Sequence, residues 1–397
     1  PYVYMLTRAT FLEQSVSIME VSRSLGNSAW RTFFRVNLPM SRPAIIAGVS
    51  LVMMESLADY GTVQYFGVST FTTGIFRTWF GLDGVAAAAQ LSALLLSFVF
   101  ILLVLEQNSR RRARYYQVSN RYGALPRHKL KGAAHVGTCL LCIVILAAGF
   151  LIPAGQLLVW AFKTWEKTLN ADFFLLVWYT LSLAGGAAII ALILAVFMNY
   201  GKRLYAKSRA IHASVRIAGL GYAAPGTIVA VGVIIPLAAF DNFLDSLMRA
   251  QFDISTGLLL SGTVTALLFA YSVRFLAVAL QTVDAGLGKI SPSMEESARA
   301  LGHPPRQVLF KIHLPILRGS LLTAMLLVFV DVMKELPATL ILRPFNFNTL
   351  AVRAYELASD ERLPDASLPS LAIVIAGLIP VILLSLSISQ SRARTDV

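Results

Sequence analysis

The sequence predicts an all-α polytopic membrane protein built from two homologous halves. Three observations predict it. The 397 residues are 56% hydrophobic and only 14% charged, where a soluble domain carries about 25% charged residues. Eight apolar runs each approach the roughly 20 residues that a helix needs to cross a bilayer. A charged stretch punctuated by Gly and Pro occurs twice, as EVSRSLGNSAWRTFFRVNLP from Glu20 and as ESARALGHPPRQVLFKIHLP from Glu296.

The apolar runs lie near 43–65, 84–106, 135–162, 174–199, 213–240, 257–280, 319–342 and 367–389. Several contain Gly or Pro, as in SLAGGAAIIA and YAAPGTIVAVG. Small residues allow close helix packing, and neighbouring helices re-satisfy an interrupted backbone. The ten-residue alternation of a large β-barrel is absent from the sequence.

Cys139 and Cys142 are the only cysteines, and their C-x-x-C spacing falls within the apolar TCLLCIVIL. Two cysteines make no disulfide framework, and these read as small apolar membrane residues rather than a redox or metal pair.

The formal net charge of +13 raises the question of nucleic acid, and the location of the charge answers it. With both repeated stretches placed in the cytoplasm, 24 of the 34 Lys and Arg fall on that side and 7 outside. The other three, Arg216, Arg274 and Lys334, fall within spans. Eight of the 24 lie in the linker 107–133. This is the positive-inside asymmetry, with headgroup contact as a further use for the linker. No nucleic-acid partner is needed, and Arg274 is expected to snorkel toward the cytoplasmic end of its span.

Sliding the chain by 276 residues aligns Glu20 with Glu296, Arg23 with Arg299, Gly26 with Gly302, Phe34 with Phe310 and Pro39 with Pro315. The same register pairs Glu55 with Asp331, Asp59 with Glu335 and Arg77 with Arg353. One register held without a gap over this distance marks duplication. The chain divides into 1–106, the later part of a first half with two spans, the basic linker 107–133, and 134–397, a second half with six spans. Residue 1 corresponds to residue 277. The first half is therefore expected to be truncated at its N-terminus by about four spans of ~20 residues plus loops. Six spans per half make the repeats parallel rather than inverted.

Each repeated loop has the same local logic. Ser291 reads as an N-cap with Pro292 in the first turn, and Ser293 with Glu296 is an alternative capping box. The short helix ends at Gly302, and Pro304-Pro305 prevents its continuation. A second short helix carries Val308, Leu309 and Ile312 before Pro315. One such loop could be an interfacial anchor; two at fixed spacing suggest a surface presented twice to a two-fold partner.

The stretch resembles the EAA loop of ATP-binding-cassette importer permeases. Its second copy spans 291–315 and reads Glu296-Ser297-Ala298, Gly302, then Ile312-His313-Leu314-Pro315; the first reads Glu20-Val21-Ser22, Gly26, then Val36-Asn37-Leu38-Pro39. Both depart from Ala at one or two positions. The finer resemblance, through ESLADYGTVQYFG and the segment from Asp331 to Ile375, is to fused permeases of the ferric-iron type. Permeases for thiamine, polyamines and phosphonates share that architecture.

The resemblance implies the type I importer fold in the bacterial cytoplasmic (inner) membrane, with the EAA loops and the linker cytoplasmic. It implies two copies of a separate ATPase subunit, which bind ATP and magnesium, and a periplasmic or lipoprotein binding protein received by outer loops 66–83, 241–256 and 343–366. ATPase coupling would fall to Glu20, Arg23, Gly26 and Pro39, and to Glu296, Ala298, Arg299, Gly302 and Pro315. No cofactor is expected in this chain. Gly201-Lys202 and Gly288-Lys289 lack the rest of a phosphate loop, and no catalytic constellation appears. His303 and His313 are expected to face solvent or the ATPase.

Ionisable residues in a span are expensive and mark function by default. Glu55 and Asp59, four apart, read as one helix face, and Asp331 and Glu335 repeat them. They are candidates for a translocation path suited to a hard cation. The structural alternative pairs them with Lys334, Arg77 or Arg353, and no metal-ligand set is defined. An ion-coupled secondary transporter would use the same acids, and a membrane scaffold only the loops.

Overall fold

The computed structural model describes residues 2–13, 21–22, 24–112 and 130–393. It is all-α; no strand occurs among the described residues. Among the described residues, six helices are long and apolar enough to cross a membrane, or seven if one bent pair counts as a single span.

The chain packs as two units. The first comprises 1–59 with 93–151, and the second 60–92 with 152–397. This division by packing cuts across the division by sequence repeat. In the first unit, α1 (Tyr2–Glu13) lies along α3 (Arg42–Ala58). The contact is close at Gly48, where an added Cβ would come within 2.6 Å of the Val3 Cα. Ahead of α3 come α2 (Ala29–Thr32), a π turn Phe33–Asn37 and a last α turn Leu38–Met40. The stretch Ala29–Met40 meets α3 at a 66° bend. Of the elements that follow, α4 (Gly61–Tyr65), α5 (Phe71–Phe76) and the start of α6 (Val85–Arg112) belong to the second unit, and the rest of α6 with α7 (Ala133–Leu146) to the first. Cys139 and Cys142 on α7 are free and exposed.

The second unit is centred on three mutually packed helices, α9 (Ala171–Leu204), α12 (Val264–Leu287) and α15 (Leu314–Met333). Ala184, Ala188, Ala191 and Ala195 give α9 a buried small face, and α12 answers with Ala266, Ala270 and Ala277. Without bulk at these positions the backbones approach closely, which is how helices associate where lipid is as apolar as leucine. Around this centre lie α8 (Ile152–Thr168), α10 (Arg209–Ala218), α11 (Gly226–Phe252), α13 (Pro292–Ala300), α14 (Pro305–Val308), α16 (Pro337–Leu342), α17 (Leu350–Ser359) and α18 (Leu363–Ala393).

Two expected spans are displaced toward the C-terminus. The run 213–240 is instead α10 followed, after a break, by α11. At Gly221 the chain approaches α12 so closely that a Cβ would lie 1.9 Å from the Val273 carbonyl oxygen. Pro225 then holds an extended ψ of 144° as the N-cap of α11. Arg216 accordingly lies on the exposed α10, outside any span. The run 257–280 becomes α12 because Asp241 and Asp245 of α11 hold the preceding segment out of helix. Asp241 accepts from the Leu260 and Ser261 amides at 3.1 and 2.8 Å, and Asp245 from Thr256 and Gly257 at 2.8 and 3.0 Å.

The expected spans 43–65 and 319–342 are both broken near their ends. α3 stops at Ala58 and α4 begins at Gly61; α15 stops at Met333 and α16 begins at Pro337. At the offset of 276 these breaks coincide.

Candidate functional site

The two repeated loops are built alike. Gly26 and Gly302 adopt φ of +80° and +83°, the left-handed region open to glycine. Across each glycine the next amide closes back over the turn: Asn27 N–H donates to the Ser22 carbonyl at 3.2 Å and His303 N–H to the Ala298 carbonyl at 3.1 Å. This six-to-one closure satisfies carbonyls that a helix end leaves open. Ser28 and Pro304 then occupy N-cap positions. The π turns Phe33–Asn37 and Leu309–His313 fall at identical repeat positions, and Pro39 and Pro315 lead into the next helices. Ser291 is the N-cap of α13, with no hydrogen bond from its side chain to the helix backbone.

The loops also face outward alike. Leu25 and Leu301 are 75% and 80% exposed, and Phe34 and Phe310 are 57% and 63% exposed. Ser22 and Ala298 are buried, as are Thr32 and Val308. A π turn advances its side chains differently from an α turn, and such turns recur at functional sites. Here it leaves Phe310 exposed while His313 is buried. Glu296 and Arg299 are exposed beside Leu301; Glu20 and Arg23 lie outside the described residues.

His313 is not at the surface. It is fully buried, correcting the expectation that it faces solvent or a partner. Its Nε2 lies 2.9 Å from Glu295 Oε1, and the same oxygen lies 2.5 Å from Arg203 Nε. The Arg203 Nη atoms donate to the carbonyls of Leu287 and Ile290 at 2.5 and 2.6 Å. Tyr200 OH donates to the Pro305 carbonyl at 2.7 Å, and its ring meets the His313 ring edge-on at 5.4 Å. Sequence reading selected Glu296 and passed over Glu295, Arg203 and Tyr200. The available signal was asymmetry: the first half has Met19 and Asn37 where the second has Glu295 and His313.

The four intramembrane acids are placed differently from the expected helix faces. Glu55 lies within α3 and accepts from Tyr2 OH at 3.4 Å. Asp59 follows the end of α3 with an extended ψ of 130°. Asp331 lies on α15, 3.1 Å from Lys334. Glu335 follows α15, is 5% exposed, and pairs with Arg274, which is 11% exposed. The second acid of each pair therefore sits at the helix break rather than on the helix face. Arg274 does not snorkel: an acid waits for it inside the protein. Glu335 Oε1 also accepts from the Ala338 amide at 3.0 Å, tying α16 to the pair. Gly226 lies against both charges, since its Cβ would fall 2.3 Å from Arg274 Nη1 and from Glu335 Oε1. Arg353 pairs with Glu356 at 3.5 Å rather than with an acid of α15.

Among the described residues, cavities open in the second unit, two of which bear on the site. One, of about 440 Å³, is lined by Lys167, Asn170, Tyr179, Asn346, Arg353 and Arg362. The other, of about 590 Å³, is lined by Tyr60, Gln64, Thr70, Thr73, Arg77 and Phe80. They draw on the segments 343–366 and 66–83 that the sequence assigns to outer loops. Tyr60 stacks on Phe76 at 3.8 Å and shares a 3.0 Å hydrogen bond with Tyr355. Among the described residues, no three His, Cys, Asp or Glu side chains come together to hold a metal.

The chain is a multi-pass helical permease, and it belongs to the family described as binding-protein-dependent transport system inner membrane component. That family's model matches residues 1–115 and 187–395. The chain is 27% identical over 392 residues to the Fe(3+)-transport system permease protein FbpB 2 of Haemophilus influenzae, covering 97% of this chain and 73% of that protein. It is 22% identical to the ferric transport system permease protein FbpB of Actinobacillus pleuropneumoniae, covering 86% of this chain and 50% of that one. The chain thus spans half to three quarters of these relatives. A crystal structure of a bacterial alginate transporter superposes with a TM-score of 0.49 at 16% identity, covering 65% of this chain and 95% of that one.

Proposed function

We propose that this chain is the membrane permease of an ATP-driven importer of ferric iron, with both repeated loops docking separate ATPase subunits. The observation that carries the reading is the matched exposed pair, Leu25 with Phe34 and Leu301 with Phe310, each set beside a positive-φ glycine. Apolar side chains on otherwise polar loops signify a partner surface. A binding protein would deliver substrate to segments 66–83 and 343–366, where the cavities lie, and to 241–256, most of which is the end of α11 rather than the expected loop. Closure of the ATPase subunits on ATP would move the loops and switch access across the membrane, with no covalent chemistry in this chain. The loops and linker would then be cytoplasmic, in keeping with the charge asymmetry.

Glu55, Asp59 and Asp331 are the acids proposed to attract a cation along the path, Asp331 sharing its charge with Lys334. Glu335 has its charge matched by Arg274, which favours a structural part for it. Iron as substrate draws on the named activity of the ferric relatives. The second reading, a phosphonate, thiamine or polyamine permease, draws on 29% identity over 127 residues to the putative 2-aminoethylphosphonate permease PhnV of Salmonella typhimurium.

The test is the importer reconstituted in vesicles with its ATPase and binding protein. ATP-driven uptake of radioactive ferric iron is expected, with thiamine, putrescine and 2-aminoethylphosphonate excluded. Leu301→Arg is expected to weaken ATPase association about ten-fold or more, as loss of a desolvated interface anchor does. Uptake of an organic substrate would replace iron and keep the permease. Uptake that survives ATP depletion but collapses with the ion gradient would replace the importer by a secondary transporter.

A further inference from the structure

We propose that Arg203, Glu295, His313 and Tyr200 clamp the second loop to α9, so that loop and helix move as one body and this contact carries loop displacement into the membrane. The inference rests on the reading of the loops as ATPase-docking elements.

The geometry gathers four separate chain segments onto one turn of α9. Arg203 reaches the carbonyls at the end of α12 through its two Nη atoms and Glu295, at the start of α13, through Nε. Tyr200 reaches the start of α14 through the Pro305 carbonyl and meets His313, at the entry to α15, with its ring. Glu295 closes the set by lying between Arg203 and His313. The planar guanidinium presents donors in a fixed fork, so its two carbonyl contacts fix orientation as well as distance, while Glu295 Oε1 lies within ion-pair distance of Arg203 and His313 without hydrogen-bond geometry. On α13, Glu296 and Arg299 remain exposed, and Arg299, one turn after Glu295, lies near enough to act electrostatically on Tyr200 and His313.

α9 is suited to carry what it receives. Its 34 residues make a rod about 50 Å long at 1.5 Å per residue. The end opposite the clamp supplies Asn170, Phe173 and Tyr179 to the 440 Å³ cavity. Near that end Thr180 Oγ1 accepts from the Leu350 amide at 2.9 Å, capping the start of α17. A displacement at Glu295 thus has a continuous packed route to the cavity wall.

The first loop is built otherwise. Met19 and Asn37 stand where Glu295 and His313 stand in the second. Its internal closure uses hydroxyls, Ser22 Oγ and Thr32 Oγ1 at 3.0 Å with Asn27 Nδ2 donating to Ser22 Oγ at 3.3 Å. The two loops offer matching outer faces, and the charged attachment seen among the described residues is that of the second.

A purely structural role and a transmitting role separate in a variant that replaces the pair by apolar residues of similar length. Arg203→Met with Glu295→Met leaves no stranded charge, and such exchanges usually preserve folding. The double variant, in the whole importer with its ATPase and binding protein, is expected to reach the membrane and hold the ATPase as the parent does. Its uptake per ATP hydrolysed is expected to fall about five-fold or more, a fall typical of lost coupling between sites. Glu295→Gln, which keeps shape and an acceptor, is expected to shift the ratio in the same direction. An unchanged ratio in both variants overturns the clamp, as does loss of ATPase association or failure of both to reach the membrane. Leu301→Arg is run alongside. If it leaves association and uptake intact, the docking reading fails irrespective of the clamp.

Discussion

Replacing Arg274 with alanine is expected to cost about 3–5 kcal/mol of stability, the usual penalty for stranding one member of a buried ion pair. Glu335 would be left 5% exposed, with the Ala338 amide as its remaining named donor. Denaturant unfolding in detergent, followed by tryptophan fluorescence, reads the loss directly. Replacing both residues by methionine is expected to return most of it, because the pair's attraction mainly offsets its own desolvation. A single variant as stable as the parent would show that Glu335 is not held as described. Uptake by the double variant then assigns the pair. Retained transport makes it a structural tie between α12, α15 and α16, whereas lost transport places it in the path.

Gly302→Val is expected to destabilise the turn by about 1–2 kcal/mol, since a side chain at positive φ brings Cβ against the following carbonyl. Branching at Cβ adds to that strain. No atom lies within 4 Å of the position an added Cβ would take, so the effect is one of backbone conformation alone. Without the turn, Leu301 and Phe310 lose their fixed relation, and ATPase association should fall accordingly. Gly302→Asn, which tolerates the left-handed region, should keep most of the association. Gly26→Val should act likewise in the first loop, where φ is +80° and the surroundings are equally open. Association undiminished in both valine variants would mean that the loops do not dock through this shape.

Local rules made some of this legible in the sequence. Gly302 followed by Pro304-Pro305 announced a helix that stops, and it stops there. Pro39 and Pro315 stood at helix starts. Hydrophobic length marked α6 and α9 to within a few residues, because a bilayer imposes its thickness on any helix that crosses it.

Other features depended on residues far apart in the chain. Periodicity alone cannot show that Gly221 lies against Val273, so the run 213–240 looked continuous. It also cannot show that Asp241 and Asp245 satisfy amides beyond residue 253, so the run 257–280 began too early. The i,i+4 spacing of Asp331 and Glu335 suggested one helical face, yet α15 ends between them. The carboxylate of Glu335 instead serves Arg274 and the first turn of α16.

The sequence by itself determined that this chain spans a membrane, repeats itself at an offset of 276 residues, and carries two loops of one design. Composition, spacing and turn chemistry act over a few residues and need no knowledge of packing. Only the tertiary structure decided which charges are buried and with whom. Glu295 and Glu296 are adjacent in sequence, but one faces Arg203 and His313 while the other faces outward. A side chain's burial depends on the helices that pack around it, and those neighbours lie tens of residues away.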